Sequence, residues 1–587
     1  MKRYISVIII LLAACTLKAQ PVDTARFRLE YTPRLMSFSK LNQQPDMTDS
    51  TSEKVKFDYY IMPQRLDATF KPGTIPYSKV SLDALEKMYR NFIKVGFGYP
   101  LTPLAELSFH NLQNTKYSLG ANVHHYSFWA PQIGKVMKQY PNGPMSDTRV
   151  HLNFKKFFKN QTLYTAADYN HEYARYYGYR YNEWPDFHNG IVYASDKDAL
   201  TNQFHHAKAM VGIASNYVLE DKKLKQDVRV SYDFLHRGQW KNMEHHAGLN
   251  SFFAYDSRWA KISGSQCYRL DLDLDYFNEK IFQQQKSQNA VLFEPEATAH
   301  FTIKEYHIIA GIGGVVDYNY GKTKGTVYPI AELQLGIVPS ILNIYAGVNG
   351  NAHHNSLKDM LYENPFLKPQ LDTLRTTINY INVYGGIKGN LVKKLNYNLS
   401  AHYSYARDLA FYRIDTTAEI ARNQFEVEYH NGNVLNLCLN INYEVIKNLR
   451  FNFEANYWLY ILTKTHAAPY HKPELEFAFN GQYILKDRFI FDLNFNLAFR
   501  SKTLAYDDFF GRYTVQNMKP ILDFGIGFEY LINDHFAAFA NINNIAHQHY
   551  ARFYDYKAFG INAMVGITYA FGHESLKAPK KTKKQQL

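Results

Sequence analysis

Between Arg488 and Phe499 the chain alternates strictly. Phe489, Phe491, Leu493, Phe495, Leu497 and Phe499 occupy one set of positions, and Ile490, Asp492, Asn494, Asn496 and Ala498 the other. A strand sends successive side chains to opposite faces, so one face here is aromatic and aliphatic while the other holds Asp and Asn. Both are poor strand formers, and their face must therefore be wet. The same period returns at 268–276, where Tyr268, Leu270, Leu272, Leu274 and Tyr276 oppose Arg269, Asp271, Asp273 and Asp275. It recurs at 228–234, 395–405, 435–443, 449–457, 475–479 and 561–571. Repeated over most of the chain, the pattern predicts an all-β fold: a transmembrane antiparallel up-and-down β-barrel, apolar outside, with a polar lumen.

The turns give the same reading. Lys159-Asn160, Lys304-Glu305, Pro339-Ser340, Lys447-Asn448, Lys486-Asp487 and Asn533-Asp534 are very short polar connections, and between them lie longer ones near 128–146, 176–203, 354–376, 412–423, 465–472, 504–518 and 549–557. Alternating tight turns and long loops are those of outer-membrane barrels, with the tight turns on the periplasmic side. About 22 strands are counted from 91–99 to 558–571, and 488–499 is the nineteenth. An even number places both chain ends in the periplasm.

Composition changes the picture little. No internal run of eighteen apolar residues exists in the 587-residue chain, which excludes helical spans, and the 48 Tyr and 40 Phe suit interfacial girdles. A soluble all-β protein rich in aromatics is the plainer alternative. At the start, Lys2 and Arg3 precede the apolar stretch Ile5–Ala14, so 1–19 reads as a secretory signal peptide cleaved after Ala19. Leu12-Ala13-Ala14-Cys15 also has the form of a lipoprotein box that would lipidate Cys15. Of the remaining cysteines, Cys267 and Cys438 fall seven strands apart, too far for a disulfide. The formal charge of +13 is partly terminal: Lys2, Arg3 and Lys18 lie in 1–19, and Lys577, Lys580, Lys581, Lys583 and Lys584 lie in the tail. A basic periplasmic tail, 572–587, suits lipid headgroups or an acidic partner, or is simply solvated. Nucleic-acid binding does not fit an exported barrel.

Phe539-Ala-Asn-Ile-Asn-Asn-Ile545, leading through Tyr550 to Gly560–Phe571, resembles the last two strands of TonB-dependent receptors. In that family an Asn-Asn-Leu/Ile element precedes a closing strand with a terminal aromatic; Tyr569 and Phe571 take that place here. The resemblance implies a 22-strand outer-membrane barrel over 90–571. It also implies a plug domain of well over a hundred residues, whereas only 20–89 lie between the leader and the first strand. That segment carries Pro21, Pro33, Pro45, Pro63, Pro72 and Pro76 and then a short helical stretch at 81–90. It shows no plug-like pattern, which speaks against energised TonB coupling. The segment either folds into the lumen or forms an arm on the periplasmic rim.

Candidate chemistry is sparse. Arg269, Asp271, Asp273, Asp275, Asp492, Asn494 and Asn496 are expected to face the lumen. The three aspartates have the oxygen ligands of a Ca²⁺ site, or they pair with neighbouring basic residues. Six close histidine pairs occur, but adjacent strand residues point apart; only His547 and His549 share a face as a weak metal candidate. No nucleophile elbow, zinc-protease motif or phosphate loop is present, and no enzyme and no cofactor is expected. The expected function is passage or uptake of a small solute across the outer membrane of a Gram-negative bacterium, with a surface lipoprotein or periplasmic protein as a further partner. The alternative is a non-transporting barrel that serves as scaffold or accessory subunit of a surface-export or assembly complex.

Overall fold

The computed structural model describes residues 88–574 with interruptions, the longest at 130–143, 177–200, 217–223, 258–263 and 417–423. The expected leader, the body of the 20–89 segment and the basic tail beyond Glu574 lie outside the described residues. The chain divides into two compact units, one of 1–26 with 90–571 and one of 27–89 with 572–587; the barrel lies in the first.

Twenty-two antiparallel strands form one sheet that closes on itself where the strand Asn562–Glu574 meets Met88–Tyr99. Each strand pairs with its sequence neighbours, so the topology is up-and-down throughout. Closure leaves no edge, as a sheet in lipid requires. Phe489–Phe499 is the nineteenth strand, as the alternation predicts. The first strand starts at Met88, so Met88–Arg90, expected to end a helix, are extended; 81–87 lie outside the described residues. The last strand runs on to Glu574, past Phe571. No described helix is long and apolar enough to cross a membrane.

The two faces separate as the sequence dictates. Leu270, Leu274, Tyr276, Val327, Leu399, Leu437, Ile461, Phe491, Val565 and Tyr569 are large apolar side chains left exposed on the outside, forming the belt that lipid covers. Aromatic rings meet across it: Tyr569 lies 4.6 Å from Phe536 and 5.5 Å from Phe571, and Phe571 is 6.2 Å from Phe109. The inner face is polar, and some of its large rings sit over glycine. Tyr328, 1% exposed, lies where a Cβ on Gly313 or Gly350 would stand 2.3 or 2.6 Å from its ring. Its hydroxyl donates to Glu296 Oε1 at 2.8 Å.

At one rim the strands turn tightly, with Lys304, Lys486 and Asp487 at positive φ. At the other they run on. Leu395–Ile414 and Phe425–Ile446 have 20 and 22 residues, about twice what a tilted strand needs to cross a bilayer. The surplus stands beyond the membrane and carries the long connections. Two expected loops there are partly ordered: 504–518 contains a hairpin of Lys502–Asp507 with Arg512–Asn517, and 549–557 a small one of Ala551–Phe553 with Tyr556–Lys557. These extended backbones close their own hydrogen bonds, which a polar stretch without clean alternation does not announce.

Candidate functional site

The connection 355–375, within the long loop expected near 354–376, folds back over the barrel mouth. Its centre is a seven-residue helix, α1 (Leu357–Glu363). Ser356 caps it: its hydroxyl accepts from the Asp359 N–H at 3.2 Å and donates to Asp359 Oδ2 at 2.9 Å. So short a helix does not hold itself together in water. The barrel wall supplies what it lacks. The Leu357 N–H donates to Glu279 Oε1 at 3.4 Å and the Lys358 N–H to Glu244 Oε2 at 3.0 Å. With the Met360 N–H on the Ser356 carbonyl, each amide of the first turn has an acceptor. Two buried acidic side chains, each 1% exposed, thus accept from the first turn of the helix.

The apolar face of α1 makes the lid's core. Leu357, Met360 and Leu361, at i, i+3 and i+4, are at most 2% exposed and pack with Phe204, Leu235 and Ile281 of the wall. Past the helix, Phe366 stacks on Tyr556 at 3.6 Å, and Leu367 bridges Phe425 in parallel register through two backbone hydrogen bonds. The lid touches Tyr176 beyond the fifth strand and Phe425 on the sixteenth. These strands are eleven apart in the barrel order, yet both contacts are made at Leu367, so the outer ends of strands half a circuit apart converge on the lid.

Polar anchors fix its rim. Arg237, fully buried, donates from Nε to Asn202 Oδ1 at 2.7 Å, from Nη2 to the Tyr176 hydroxyl and the Leu367 carbonyl at 2.6 Å each, and from Nη1 to the Lys368 carbonyl at 3.3 Å. Asn242 donates to the Pro369 carbonyl at 3.0 Å. Lys368 reaches Glu426 at 2.7 Å and Asp415 at 3.5 Å, and Glu363 pairs with Lys472 while accepting from the Tyr412 hydroxyl at 2.9 Å. Burial opposes the charge of Glu363, but Lys472 holds its carboxyl below the usual range. Burial likewise acts against the Lys358 ammonium, which Asp359, Asp233 and Glu244 hold above its ordinary value.

Lys358 also joins the lid to the expected acidic ladder. Its Nζ lies 3.7 Å from Asp233, a carboxylate that Lys208, His206 and His246 approach at 3.4, 2.9 and 3.4 Å. His246 continues to Asp275 at 2.7 Å. Further along, Asn250 donates to Asp273 at 2.8 Å, and Arg269 holds Asp271 at 2.7 Å while lying 4.6 Å over the Phe252 ring. Each aspartate of the ladder thus has its own protein partner. On the nineteenth strand Gln482 donates to Asp492 at 3.0 Å, while Asn494 is exposed and Asn496 half-buried. His547 and His549 sit in a loop rather than on a strand, and their rings bond to the Ile561 N–H at 3.1 Å and the Ala558 carbonyl at 3.2 Å. They share no strand face, but the loop still sets their rings 5.1 Å apart at 70°. No group of three potential metal-ligating side chains is found among the described residues. Cys267 and Cys438 are free thiols on separate strands.

The sequence signal for the lid is present but short. Ser356-Leu-Lys-Asp359 has the form of a capping box with Asp in the last position, followed by apolar residues at helical spacing and closed by Pro365 and Pro369. Glu244, Glu279 and Arg237 carry no such signal, because their partners are more than a hundred or close to eighty residues away.

His471 ties three outer segments together. Its Nδ1 donates to the Tyr412 carbonyl at 2.7 Å and its Nε2 accepts from the Tyr554 N–H at 3.2 Å, so the ring must be neutral. Burial lowers its pKa to about 4. An unfolded imidazole takes up a proton near pH 6.5. The stabilisation is therefore full above about pH 6.5 and is lost, roughly 3 kcal/mol in all, as pH falls from there to about 4. Protection of the Tyr554 amide, corrected for intrinsic exchange, should fall across that window and stay flat in His471→Gln. Identical profiles would contradict the assignment.

Solved structures share this barrel. The ferripyoverdine receptor of the Pseudomonas aeruginosa outer membrane superposes with a TM-score of 0.61 at 11% identity, covering 83% of this chain and 72% of that one. The fold is that of the TonB-dependent receptors. The FrpB iron transporter of Neisseria meningitidis gives 0.60 at 12% identity over 83% and 82%, and the copper transporter OprC 0.58 at 11% over 83% and 80%. These neighbours are receptors and transporters, not enzymes. No family model and no curated protein sequence matches.

Proposed function

We propose that this chain is a receptor-like barrel of a Gram-negative outer membrane that passes or takes up a small solute, with Ser356–Leu374 as the lid of its extracellular mouth. The lid carries the reading. A barrel of this size encloses a wide polar lumen, and a folded cap with its own apolar core is a device for controlling entry. The long-loop rim then faces outward and the tight turns face the periplasm, with both chain ends on the inner side. The neighbours named for ferripyoverdine, iron and copper support a small solute as the cargo class.

Excision tests this directly. Asn355 and Arg375 are joined by a backbone hydrogen bond of 3.1 Å, so Ser356–Leu374 can be replaced by an Asn-Gly turn that continues the hairpin. Proteoliposomes carrying the excised variant should swell in sugar solutions about tenfold faster than those with the full chain. Equal swelling from two folded barrels, with the full chain co-eluting with other outer-membrane proteins, would favour the scaffold instead.

A further inference from the structure

The inner wall is chemically two-sided. Strands around Asp233, Asp273 and Glu294 carry carboxylates, whereas the wall from Leu395–Ile414 to Phe489–Phe499 sets a row of amides among Glu444, Arg450, Glu454, Glu476 and Asp492. Across those five strands the register places Asn396 opposite Asn442, Asn442 opposite Asn452, Asn452 opposite Asn480 and Asn480 opposite Asn494. One unbroken row of asparagines thus crosses five consecutive strands. It shares the face of Asp492; the alternate positions, such as Leu399, Leu437 and Phe491, belong to the exposed apolar belt.

Lys394, Glu444, Asp492 and Glu454 beside the row are engaged with other groups, and Arg450 also lies on this face, next to Asn452. Toward the tight-turn rim Lys394 meets Glu444 at 3.1 Å and Gln482 meets Asp492 at 3.0 Å; on the other side Asn456 donates to Glu454 at 2.5 Å. Asparagine pairs elsewhere in the barrel satisfy one another: Asn382 donates to Asn349 at 2.9 Å and Asn379 to Asn351 at 2.7 Å. In the row, by contrast, Asn396, Asn442, Asn452 and Asn494 have no side-chain hydrogen bond among the described residues, and all but Asn452 are exposed. Asparagine is a poor strand residue, so a row of five in register has no advantage for the sheet.

From this we infer that the asparagine row is a binding track for a neutral, multiply hydroxylated solute of the oligosaccharide type. An amide both donates and accepts, and so does a hydroxyl; a carboxylate only accepts and an ammonium only donates. Neighbouring amides repeat at the strand spacing of about 4.8 Å, comparable to the length of a sugar ring. Farther along the same face, Trp458 lies beside Tyr460 at 6.3 Å and 15°, with Tyr460 packed against Phe411. The inference rests on the solute-passage reading and names its substrate class.

Binding is measured by calorimetry on the full chain in nanodiscs, whose two faces are both open, with maltohexaose and cellohexaose as neutral probes and an oligogalacturonate as the anionic one. A neutral hexaose should bind with an affinity unchanged between ~50 and ~500 mM NaCl, and the oligogalacturonate more weakly. Asn442→Leu with Asn452→Leu should weaken hexaose binding about tenfold, and Asn442→Gln with Asn452→Gln should largely retain it. Heat-modifiable electrophoretic mobility confirms that each variant is folded. Absence of binding by either hexaose, equal binding by the leucine pair, or tighter binding of the oligogalacturonate overturns the inference. Because this assay does not depend on transport, its failure is distinct from a failure to swell after lid excision.

Discussion

Arg237→Ala should accelerate amide exchange in 357–374 about a hundredfold, corresponding to a loss of about 3 kcal/mol in the free energy of lid opening. The guanidinium is fully buried and feeds four neutral oxygens: Asn202, the Tyr176 hydroxyl and the carbonyls of Leu367 and Lys368. Removing it leaves two lid carbonyls and a tyrosine hydroxyl buried with fewer donors. An unsatisfied buried polar group costs about 1–3 kcal/mol, so even partial rescue by water leaves a large effect. Lysine is a poor substitute, because one ammonium does not reproduce the planar fork that spans strand and lid. Exchange unchanged within a factor of about three would show that the lid does not depend on this anchor.

Leu361→Asp should open the lid outright. Leu361 is 0% exposed at the centre of the core that α1 shares with the wall. A carboxylate there has no partner supplied by its site, and the cost of about 4 kcal/mol or more exceeds what a seven-residue helix returns by staying docked. The strand ladder does not pass through this position, so the barrel itself should keep its heat-modifiable mobility. Trypsin is the readout. Lys358 and Lys368 are held by Asp233 and Glu426 and lie within the packed lid. Lys368 precedes Pro369, a bond that trypsin does not cut, so the readout is cleavage after Lys358, which should be slow in the native chain and fast in the variant; equal rates would mean that the lid already opens freely.

These two residues also show where the sequence is legible and where it is not. Phe489–Phe499 declares itself because period two is a local property of eleven residues, and local alternation repeated along a chain is enough to specify strands, faces and their number. The tight turns are equally local: a short polar connection between two alternating runs, as at Lys486-Asp487, where both residues have positive φ. The lid is different in kind. Its helix is held by Glu244 and Glu279, its rim by Arg237, and its far end by Phe425 and Tyr556, and those residues are distant in sequence and adjacent only once the barrel has closed. A loop reading for 354–376 follows when the capping box at Ser356 is weighed against a helix of two turns, and the barrel overrides it. His547 and His549 read as strand residues for the converse reason. They follow an alternating run, but Asn544 at positive φ ends the strand before them.

The asparagine row lies between these cases. Asp492, Asn494 and Asn496 stand out in one strand, yet what distinguishes Asn494 from its neighbours is register. Only the pairing of five strands shows that it continues Asn480, Asn452, Asn442 and Asn396. Sequence alternation gives the face of a residue; the ladder gives its row.

If, as proposed, a polar passage runs through this barrel and 355–375 closes it, removing the lid should open it. Single-channel recording in planar bilayers tests it most directly, comparing the full chain with the variant in which Ser356–Leu374 is replaced by an Asn-Gly turn. The account predicts a quiet full chain and a large, steady conductance once the lid is gone, with Leu361→Asp falling between them. A folded, inserted, lid-less barrel that remains silent would contradict it.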